Sequence, residues 1–472
     1  MPAALPSPTS KVTKFTNCRL LKGESLVTQD LWVSSSTGKI IQSQEAFYSH
    51  FCVPDDTIDL GGRIISPGFI DAQLNGAFGF DFASIPENDG PDSYGKEFRR
   101  VNSLLVKTGV TSYLPTITSS RPEVYHHVST LHNLHHQTQT DHSVKALPFL
   151  GPSGASRLAS DGAESLGAHV EGPFLAPTKN GIHPLPVLLS PKSNDLTSLS
   201  DCYGASNLLG NIRLITAAPE LPHMASLIPT LTSPPHNIIF SIGHTESTYE
   251  DATVAITAGA TMITHLFNAM LPLHHRNPGI FGLLGTTPTT TCSPTTTPPS
   301  TPITTHQHTP ILPPIPERPY FGIIADSIHL HPTTITLAYN AHPTGLILVT
   351  DAMHLVGLPD GRYAWNGDYI IKSGIHLRLE SDNKIAGSSI TGAGFKGGYR
   401  DPGEDAGVYG AKGGLGGGQD ADLCVLDVVV ETDGRKRVVV DEVWKFGVRV
   451  FRREGEEKGE GKGLAVEDTE LM

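Results

Sequence analysis

The sequence of 472 residues has few cysteines, few charged side chains and no long apolar run. Its five cysteines form no Cys-x-x-Cys pair, which argues against a thiolate zinc cluster and fits a reducing compartment. No apolar stretch approaches the ~20 residues of a membrane span. The first residues also lack the apolar h-region of a secretory signal. We therefore expect a cytoplasmic protein with no membrane partner.

Basic residues are scarce as well, because Lys and Arg total 34 against 47 Asp and Glu, a formal net charge of −13. Proteins that bind nucleic acids owe much of their affinity to a basic face, so no nucleic-acid partner is expected. Glycine (48) and proline (37) are abundant without a repeat period, which indicates long loops in a globular chain. The 22 histidines are notable because several lie in ordered segments.

The chain divides into regions of different character. Residues 11–62 contain short β segments separated by turns, and strand alternation returns at 419–455. We expect these two regions to form one small β-sandwich domain from both chain ends, with a β/α barrel at 63–390 between them. Three segments interrupt this pattern: a low-complexity Thr/Pro insert within the barrel at 286–319, a Gly-rich irregular segment at 391–418 and a charged, disordered tail at 456–472.

The region 63–390 predicts an α/β fold of the (β/α)8-barrel type. Short apolar runs recur along it, and continuous apolar strands that alternate with helices indicate a buried parallel sheet. The candidate strands number about eight, as a barrel requires: 64–72, 109–117, 165–172, 212–220, 238–245, 260–268, 320–329 and 345–353. No glycine-rich turn follows the first strand, which argues against a dinucleotide-binding sheet. In the predicted helix at 247–259, Ser247 and Glu250 have capping-box spacing.

Five polar residues stand just past apolar strand cores: Glu171, His244, His265, His329 and Asp351. The carboxyl ends of barrel strands share one mouth, so these side chains should meet there. One carboxylate and two imidazoles are the ligands of a catalytic zinc site that activates water. Asp351 would then be a general base, and His329 would bind a substrate oxygen. Taken alone, each residue has an ordinary explanation, such as helix capping by Asp351, but their shared position favours a metal site.

Eight sequence strings then occur in order along the chain: PGFIDAQLNG (67–76), HVEGPF (169–174), KNGIHP (179–184), GHTEST (243–248), THLFNAM (264–270), HRNPG (275–279), GIIADSIHLHP (322–332) and LVTDAM (348–353). Together they resemble the N-acetylglucosamine-6-phosphate deacetylases, a family of the amidohydrolase superfamily, over roughly residues 11–390, with a shorter match at 412–427. The resemblance implies a β/α barrel with a small β domain. It also implies one divalent metal ion per chain, with zinc as the expected ion.

The resemblance assigns roles to individual residues. Glu171, His244 and His265 would bind the metal, and Asp351 would be the catalytic acid and base. Substrate contacts would fall on Ile182, His183, Asn268, Ala269, Arg276, His329, Ile385, Ala386 and Gly387. Arg276 suits a phosphate because its guanidinium forms a rigid, always-charged fork. The implied reaction hydrolyses the acetamide of N-acetylglucosamine 6-phosphate, a phosphorylated amino sugar, to glucosamine 6-phosphate and acetate. Family members tend to be dimers, which implies a homodimer.

Two features depart from related enzymes. Many amidohydrolases begin the barrel with a His-x-His metal pair, whereas this chain has Gln73-Leu74-Asn75, whose amides are poor zinc ligands beside imidazole, so one metal is expected. Between Gly387 and Lys412 the sequence has no amphipathic pattern, so we expect the last barrel helices to be missing. Two alternatives stay open: another metal-dependent amidohydrolase, such as a cyclic-amide hydrolase or deaminase, or an inactive protein with an incomplete barrel. The absent His-x-His pair and Arg276 argue against the former.

Overall fold

The computed structural model describes residues 11–23, 25–42, 53–84, 91–126, 145–154, 157–286, 315–391, 412–430, 434 and 436–454. Most of the predicted Thr/Pro insert and of the Gly-rich segment lies outside the described residues, and so does the whole predicted tail at 456–472. Within the ranges given, no helix combines the length and the apolar character that crossing a bilayer requires.

Short strands occupy the N-terminal region: β1 (Val12–Thr16), β2 (Arg19–Lys22), β3 (Ser25–Thr28), β4 (Leu31–Ser34), β5 (Lys39–Ile41), β6 (Asp56–Asp59) and β7 (Ile64–Pro67). Four of them form one sheet in the order β5-β4-β1-β6. Strand β4 is buried along its whole length, so this sheet contributes an apolar face to the core.

Eight parallel strands form the predicted barrel: β8 (Phe69–Leu74), β11 (Val110–Thr118), β13 (Ala168–Glu171), β14 (Ile212–Ala217), β15 (Ile239–Ile242), β16 (Met262–Ile263), β17 (Tyr320–Ile324) and β18 (Leu346–Val349). The short strands β9 (Gly76–Ala77), β10 (Phe80–Asp81) and β12 (Glu164–Ser165) lie between them along the chain. The predicted first strand, 64–72, is wrong in extent, because residues 64–67 form β7 of another sheet. The chain changes sheets at Gly68, where a Cβ would lie 2.3 Å from the Thr111 side chain.

A buried carboxyl group joins the last barrel strand to the first. Asp71 Oδ1 accepts hydrogen bonds from the backbone N–H groups of Thr350 and Gln73, each at 3.2 Å, and Asp71 Oδ2 lies 2.5 Å from Thr350 Oγ1. A parallel bridge also pairs Leu74 with Ala352. The two edge strands of the barrel are therefore held together at the end where the predicted site lies.

This carboxyl group makes stability depend on pH. Burial raises the pKa of Asp71 to about 7, above the value of about 3.9 expected in the unfolded chain. Its contribution to stability is therefore complete below that unfolded pKa and is lost as the pH rises through about 7. We expect wild type to lose about 2.5 kcal/mol of unfolding free energy between pH 5 and 8 that Asp71→Asn does not lose, because the amide stays neutral.

Urea unfolding of both proteins at the two pH values measures this difference. Asp71→Ala provides the comparison, since it leaves two buried N–H groups without an acceptor and should cost about 2–4 kcal/mol at either pH. An Asp71→Asn protein with the same pH dependence as wild type would show that Asp71 is ionised in the folded barrel.

Helices lie between most pairs of successive barrel strands: α1 (Pro91–Leu105), α2 (Pro122–Tyr125), α3 (Leu147–Leu150), α4 (Thr197–Tyr203), α5 (Ala205–Gly210), α6 (Met224–Thr232), α7 (Tyr249–Ala258) and α8 (Pro332–Ala341). The predicted capping box of α7, Ser247 with Glu250, is wrong by one residue. Thr248 Oγ1 accepts from the N–H of Asp251, whose carboxylate accepts from the N–H of Thr248. Ser247 is engaged elsewhere, because its hydroxyl donates to Glu220 Oε2 at 2.8 Å.

After β18 the described residues form an antiparallel sheet that sequence reasoning missed: β19 (Gly361–Trp365), β20 (Asp368–Ser373) and β21 (His376–Leu379). A signal was present, because Asn366-Gly367 is a typical two-residue hairpin turn and Gly374, the first residue of the next turn, is typical of that position. In the part of the chain that the structure describes after Ala341, no further α-helix occurs. Most of the segment between Gly387 and Lys412, where the last barrel helices are expected to be missing, lies outside the described residues. Leu337 on α8 is 64% exposed.

The C-terminal strands pair with the N-terminal ones. β22 (Leu423–Val430), β23 (Lys436–Lys445) and β24 (Val448–Arg452) extend a six-stranded sheet in the order β24-β23-β22-β7-β2-β3. This sheet shares an apolar core with the four-stranded sheet, in which the rings of Phe15 and Trp444 meet edge to face with centroids 4.9 Å apart. Both chain ends therefore build the predicted β-sandwich.

Candidate active site

Three side chains from neighbouring barrel strands converge at the carboxyl end of the barrel. Glu171 is the last residue of β13, and His244 and His265 follow β15 and β16. Glu171 Oε1 lies 3.0 Å from His265 Nε2 and 3.3 Å from His244 Nε2, and the two Nε2 atoms are 3.1 Å apart. All three residues are buried. The structure thus brings together three of the five side chains that strand-end position singled out, the three expected to bind a metal.

These separations fit one metal ion. Two ligand atoms bound at about 2.1 Å with a tetrahedral angle between them lie about 3.4 Å apart. His244 Nδ1 lies 2.7 Å from the backbone oxygen of Lys179, a hydrogen bond that places the proton on Nδ1 and the lone pair on Nε2. His183 is also near, because Glu171, His183 and His244 offer ligand atoms within 4.8 Å of one another. The described residues here form a cluster able to hold a metal ion.

The charges within the cluster depend on one another. Burial by itself would raise the pKa of Glu171, but its interactions with the imidazoles of His244 and His265 lower it well below its ordinary value. Burial likewise opposes a positive charge on His265, but the bond to Glu171 raises its pKa. The carboxylate and the imidazole therefore stabilise a proton between them, and a bound cation would replace that proton.

His183 differs from the other two histidines in the role of its ring nitrogens. The backbone N–H of Ser119 donates to His183 Nδ1 at 3.1 Å, and the Ser119 hydroxyl, which can donate as well, lies 2.8 Å from the same nitrogen. Burial and the nearby His244 lower the pKa of His183 to about 3, so the ring is neutral. A neutral ring with an accepting Nδ1 carries its proton on Nε2, which makes Nε2 a hydrogen-bond donor.

Asp351 follows β18 and lines the same cavity. Its Oδ1 accepts from Asn75 Nδ2 at 2.7 Å and from Gln73 Nε2 at 3.1 Å. Gln73 Nε2 also donates to Glu171 Oε1 at 3.0 Å, so one amide group links the two carboxylates. Burial, together with the charge of Glu171, raises the pKa of Asp351 to about 6. A carboxyl group with this pKa can both accept and return a proton near neutral pH.

Gln73 and Asn75 both hold Asp351 by hydrogen bonds, a role that was not predicted from the sequence. The available signal was alternation: Asp71, Gln73 and Asn75 are spaced two apart, which places their side chains on one face of the first barrel strand and its end. That face points into the barrel mouth. Where related amidohydrolases carry a metal-binding pair, this chain therefore has amide donors that contact both carboxylates.

The backbone turns sharply at three of the strand ends. The φ angles of His244, His265 and Asp351 are 48°, 28° and 48°. This left-handed region costs a residue with a Cβ roughly 1–2 kcal/mol, and such strained residues cluster at functional sites. The strain here directs three polar side chains toward one cavity.

The cavity has a volume of about 240 Å³. Seven of the predicted substrate contacts line it: Ile182, His183, Asn268, Ala269, His329, Ile385 and Gly387. Two do not. Ala386 is completely buried behind the wall, and Arg276 lies on an exposed loop, where its Nε donates to His275 Nε2 at 3.1 Å. Lys384, which the sequence did not single out, lines the cavity as well.

Asp326 fixes the orientation of His329 in the cavity wall. Asp326 Oδ2 accepts from His329 Nδ1 at 2.7 Å, and Oδ1 accepts from the backbone N–H groups of Ile328 and His329 at 2.8 and 2.9 Å. Burial opposes the charge on Asp326, but the bonds from His329 lower its pKa below the ordinary value. The Nδ1 proton of His329 is therefore committed to Asp326, and Nε2 remains for the cavity.

A second group of buried carboxylates has the spacing of a metal site but is already paired. Glu164, Asp420 and Asp422 offer ligand atoms within 4.8 Å of one another. Lys445 Nζ lies 2.6 Å from both Glu164 Oε1 and Asp422 Oδ2, and Lys412 forms ion pairs with all three acids. Because buried charges need partners, this cluster is a set of ion pairs that joins the barrel to the sandwich.

No protein-family model matches the chain. It is 35% identical over 453 residues to N-acetylglucosamine-6-phosphate deacetylase of Danio rerio, covering 92% of this chain and 97% of the relative. It is 35% identical over 438 residues to the enzyme of the same name from Homo sapiens, covering 89% and 92%. The crystal structure of N-acetylglucosamine-6-phosphate deacetylase from Pasteurella multocida shares the fold, with a TM-score of 0.65 at 24% identity over 93% of this chain and 99% of that chain. The ordered motifs and the curated relatives agree: the chain belongs to the N-acetylglucosamine-6-phosphate deacetylase family.

Proposed function

We propose that this protein hydrolyses the acetamide of N-acetylglucosamine 6-phosphate to glucosamine 6-phosphate and acetate. The observation that carries the proposal is the convergence of Glu171, His244 and His265 within 3.3 Å, beside Asp351, in a chain of this family. Their one oxygen and two nitrogen donors suit a zinc ion. When bound, the metal supplies a Lewis acid for the acetamide oxygen and for the attacking water.

His265, rather than His183, completes the proposed ligand set. His265 Nε2 lies 3.0 Å from Glu171 Oε1 and 3.1 Å from His244 Nε2. His183 has its proton on Nε2, the nitrogen that would have to bind the metal, and a protonated nitrogen has no lone pair to give. We assign to His183 a hydrogen bond from Nε2 to the acetamide oxygen, where charge develops during attack.

Asp351 moves the proton in the proposed reaction. Its Oδ1 is held by two amide donors, which leaves Oδ2 for the reacting atoms. Asp351 takes a proton from the attacking water and then gives it to the sugar nitrogen, because an amide nitrogen leaves readily only once it is protonated. His329, oriented by Asp326, hydrogen-bonds a substrate oxygen through Nε2.

The phosphate end of the substrate needs a cation. Among the described residues that line the cavity, Lys384 is the only lysine or arginine. Its Nζ lies 2.9 Å from Asp382 Oδ2, and its side chain is 48% exposed. We propose that Lys384 contacts the phosphate. Arg276 lies outside the cavity of its own chain, so the proposed phosphate contact of Arg276 would be made across a homodimer.

Lys384→Ala should raise KM for N-acetylglucosamine 6-phosphate about fivefold and change kcat less than about twofold, because the contact is far from the reacting bond. Turnover of unphosphorylated N-acetylglucosamine should not change. Steady-state assays of acetate release on the two sugars measure both effects. Asp382→Ala is the matched control, since it removes the partner of the lysine and keeps the charge. An equal loss on both sugars would rule out the phosphate contact.

Acetate release from N-acetylglucosamine 6-phosphate by purified protein, with metal content determined on the same sample, tests the proposed function. We expect turnover together with about one zinc per chain. Faster turnover of a cyclic amide or of an aminated base would favour another amidohydrolase activity. A folded, metal-bound protein that turns over none of these substrates would favour the inactive alternative.

A further inference from the structure

Asn75 lines the cavity beside Asp351, and its side-chain oxygen has no hydrogen-bond partner among the described residues. The residue is 3% exposed, and its Nδ2 donates to Asp351 Oδ1 at 2.7 Å. Its Oδ1 is buried and accepts no hydrogen bond from the described residues. A buried acceptor without a donor costs about 1–3 kcal/mol, so this atom marks a place for a donor group.

The backbone of Asn75 is fixed by hydrogen bonds that do not involve its side chain. Its N–H donates to the backbone oxygen of Ala352 at 2.8 Å, and its carbonyl oxygen accepts from the N–H of Phe82 at 3.1 Å. Both bonds survive replacement of the side chain. The direction of the side-chain amide is also fixed, because a carboxylate oxygen only accepts and so the NH2 group must face Asp351.

We propose that Asn75 is a catalytic residue whose Oδ1 accepts the N–H of the substrate acetamide while its Nδ2 holds Asp351. The inference rests on the proposed function, in which Asp351 protonates that same nitrogen. One planar amide group then binds both the proton donor and the atom that receives the proton. With the substrate N–H held by Oδ1, the nitrogen lone pair that forms as the carbonyl carbon becomes tetrahedral is free to face Asp351.

Each bond that forms in the proposed reaction has a matching bond that breaks. The water oxygen forms a bond to the carbonyl carbon, and one water proton passes to Asp351. Asp351 gives this proton to the nitrogen, the C–N bond breaks, and its electron pair stays on the nitrogen as the free amine. Asn75 exchanges no proton. Its Oδ1 holds the original N–H in place throughout, so the effect of this oxygen appears only where the leaving atom carries a hydrogen.

An ester substrate separates this role from a merely structural one. The 2-O-acetyl ester of glucose 6-phosphate has an oxygen where the natural substrate has N–H, and an alkoxide depends less on a proton donor in order to leave. We expect Asn75→Ala to lower kcat/KM about 100-fold for the amide and less than about fivefold for the ester. An equal loss on both substrates would overturn the proposal, because a water partner or a change in site shape affects both alike.

Binding provides a second measurement that does not need turnover. In an Asp351→Asn background, adding Asn75→Ala should weaken the Kd of the amide substrate about tenfold, with less than about a twofold change for the ester. Unchanged amide binding would refute the contact. Asn75→Ser replaces the alanine variant if the latter does not fold. If wild type releases no acetate from the amide, the proposed function itself is refuted. This outcome differs from an equal loss on both substrates and from unchanged amide binding, which refute only the role of Asn75.

Discussion

Asp351→Asn is expected to lower kcat by at least about 1,000-fold and to leave the metal in place. The asparagine cannot carry a proton from water to the sugar nitrogen. Its side-chain oxygen can still accept the hydrogen bonds that Asn75 and Gln73 now make to Asp351, so the cavity keeps its shape. Acetate-release kinetics and zinc content, measured on one preparation, test both parts of this expectation.

Asp71→Asn is the matched control, because it makes the same chemical change to a buried aspartate of the neighbouring strand. Asp71 does not line the cavity, and its partners are Thr350 and the backbone N–H of Gln73. We expect its kcat to stay within about threefold of wild type. Loss of zinc from Asp351→Asn would show that Asp351 is a ligand and not only an acid and base. A residual activity above about a tenth of wild type would remove it from the proton transfer.

The barrel and the position of its mouth could be predicted from the sequence because both are local properties. A buried parallel strand is a short continuous apolar run, and the polar residue that ends it is visible beside it. Glu171, His244 and Asp351 were found in this way, and the structure places them together at one end of the barrel. The small sandwich followed from alternation at both chain ends, since alternating strands that are far apart in sequence can still pair.

The remaining features depend on contacts between distant parts of the chain. Asn75 and Asp351 are 276 residues apart, and no local pattern encodes the hydrogen bond between them. Lys384 reaches the cavity because the segment after β21 folds back over the barrel mouth, where the N–H of Ser388 donates to the backbone oxygen of Asp351. Thr248 caps α7 in place of the predicted Ser247, because the Ser247 hydroxyl donates to Glu220 on another loop. Such competition for a side chain becomes visible only in three dimensions.

His265→Gln is expected to abolish zinc binding at stoichiometric metal and with it all measurable turnover. The proposed site has three protein ligands, and a neutral amide replaces imidazole poorly as a zinc ligand. A readout independent of activity is available, since a ligand that binds only the folded state raises its stability. Zinc should therefore raise the Tm of wild type and leave the Tm of His265→Gln unchanged.

His183→Gln decides between the two arrangements that the geometry offers, because Glu171 and His244 belong to both. If His265 is the third ligand, His183→Gln keeps its zinc and its zinc-dependent rise in Tm, and it loses turnover through the missing hydrogen bond to the acetamide oxygen. If His183 is the third ligand, His183→Gln instead loses zinc binding and the zinc-dependent rise in Tm, and His265→Gln keeps both. His342→Gln is the control, since His342 is buried but lies outside the cavity lining, and it should bind zinc as wild type does. Ser119 makes the first outcome the expected one, because the N–H that it donates to His183 Nδ1 keeps the ring proton on the nitrogen that the metal would need.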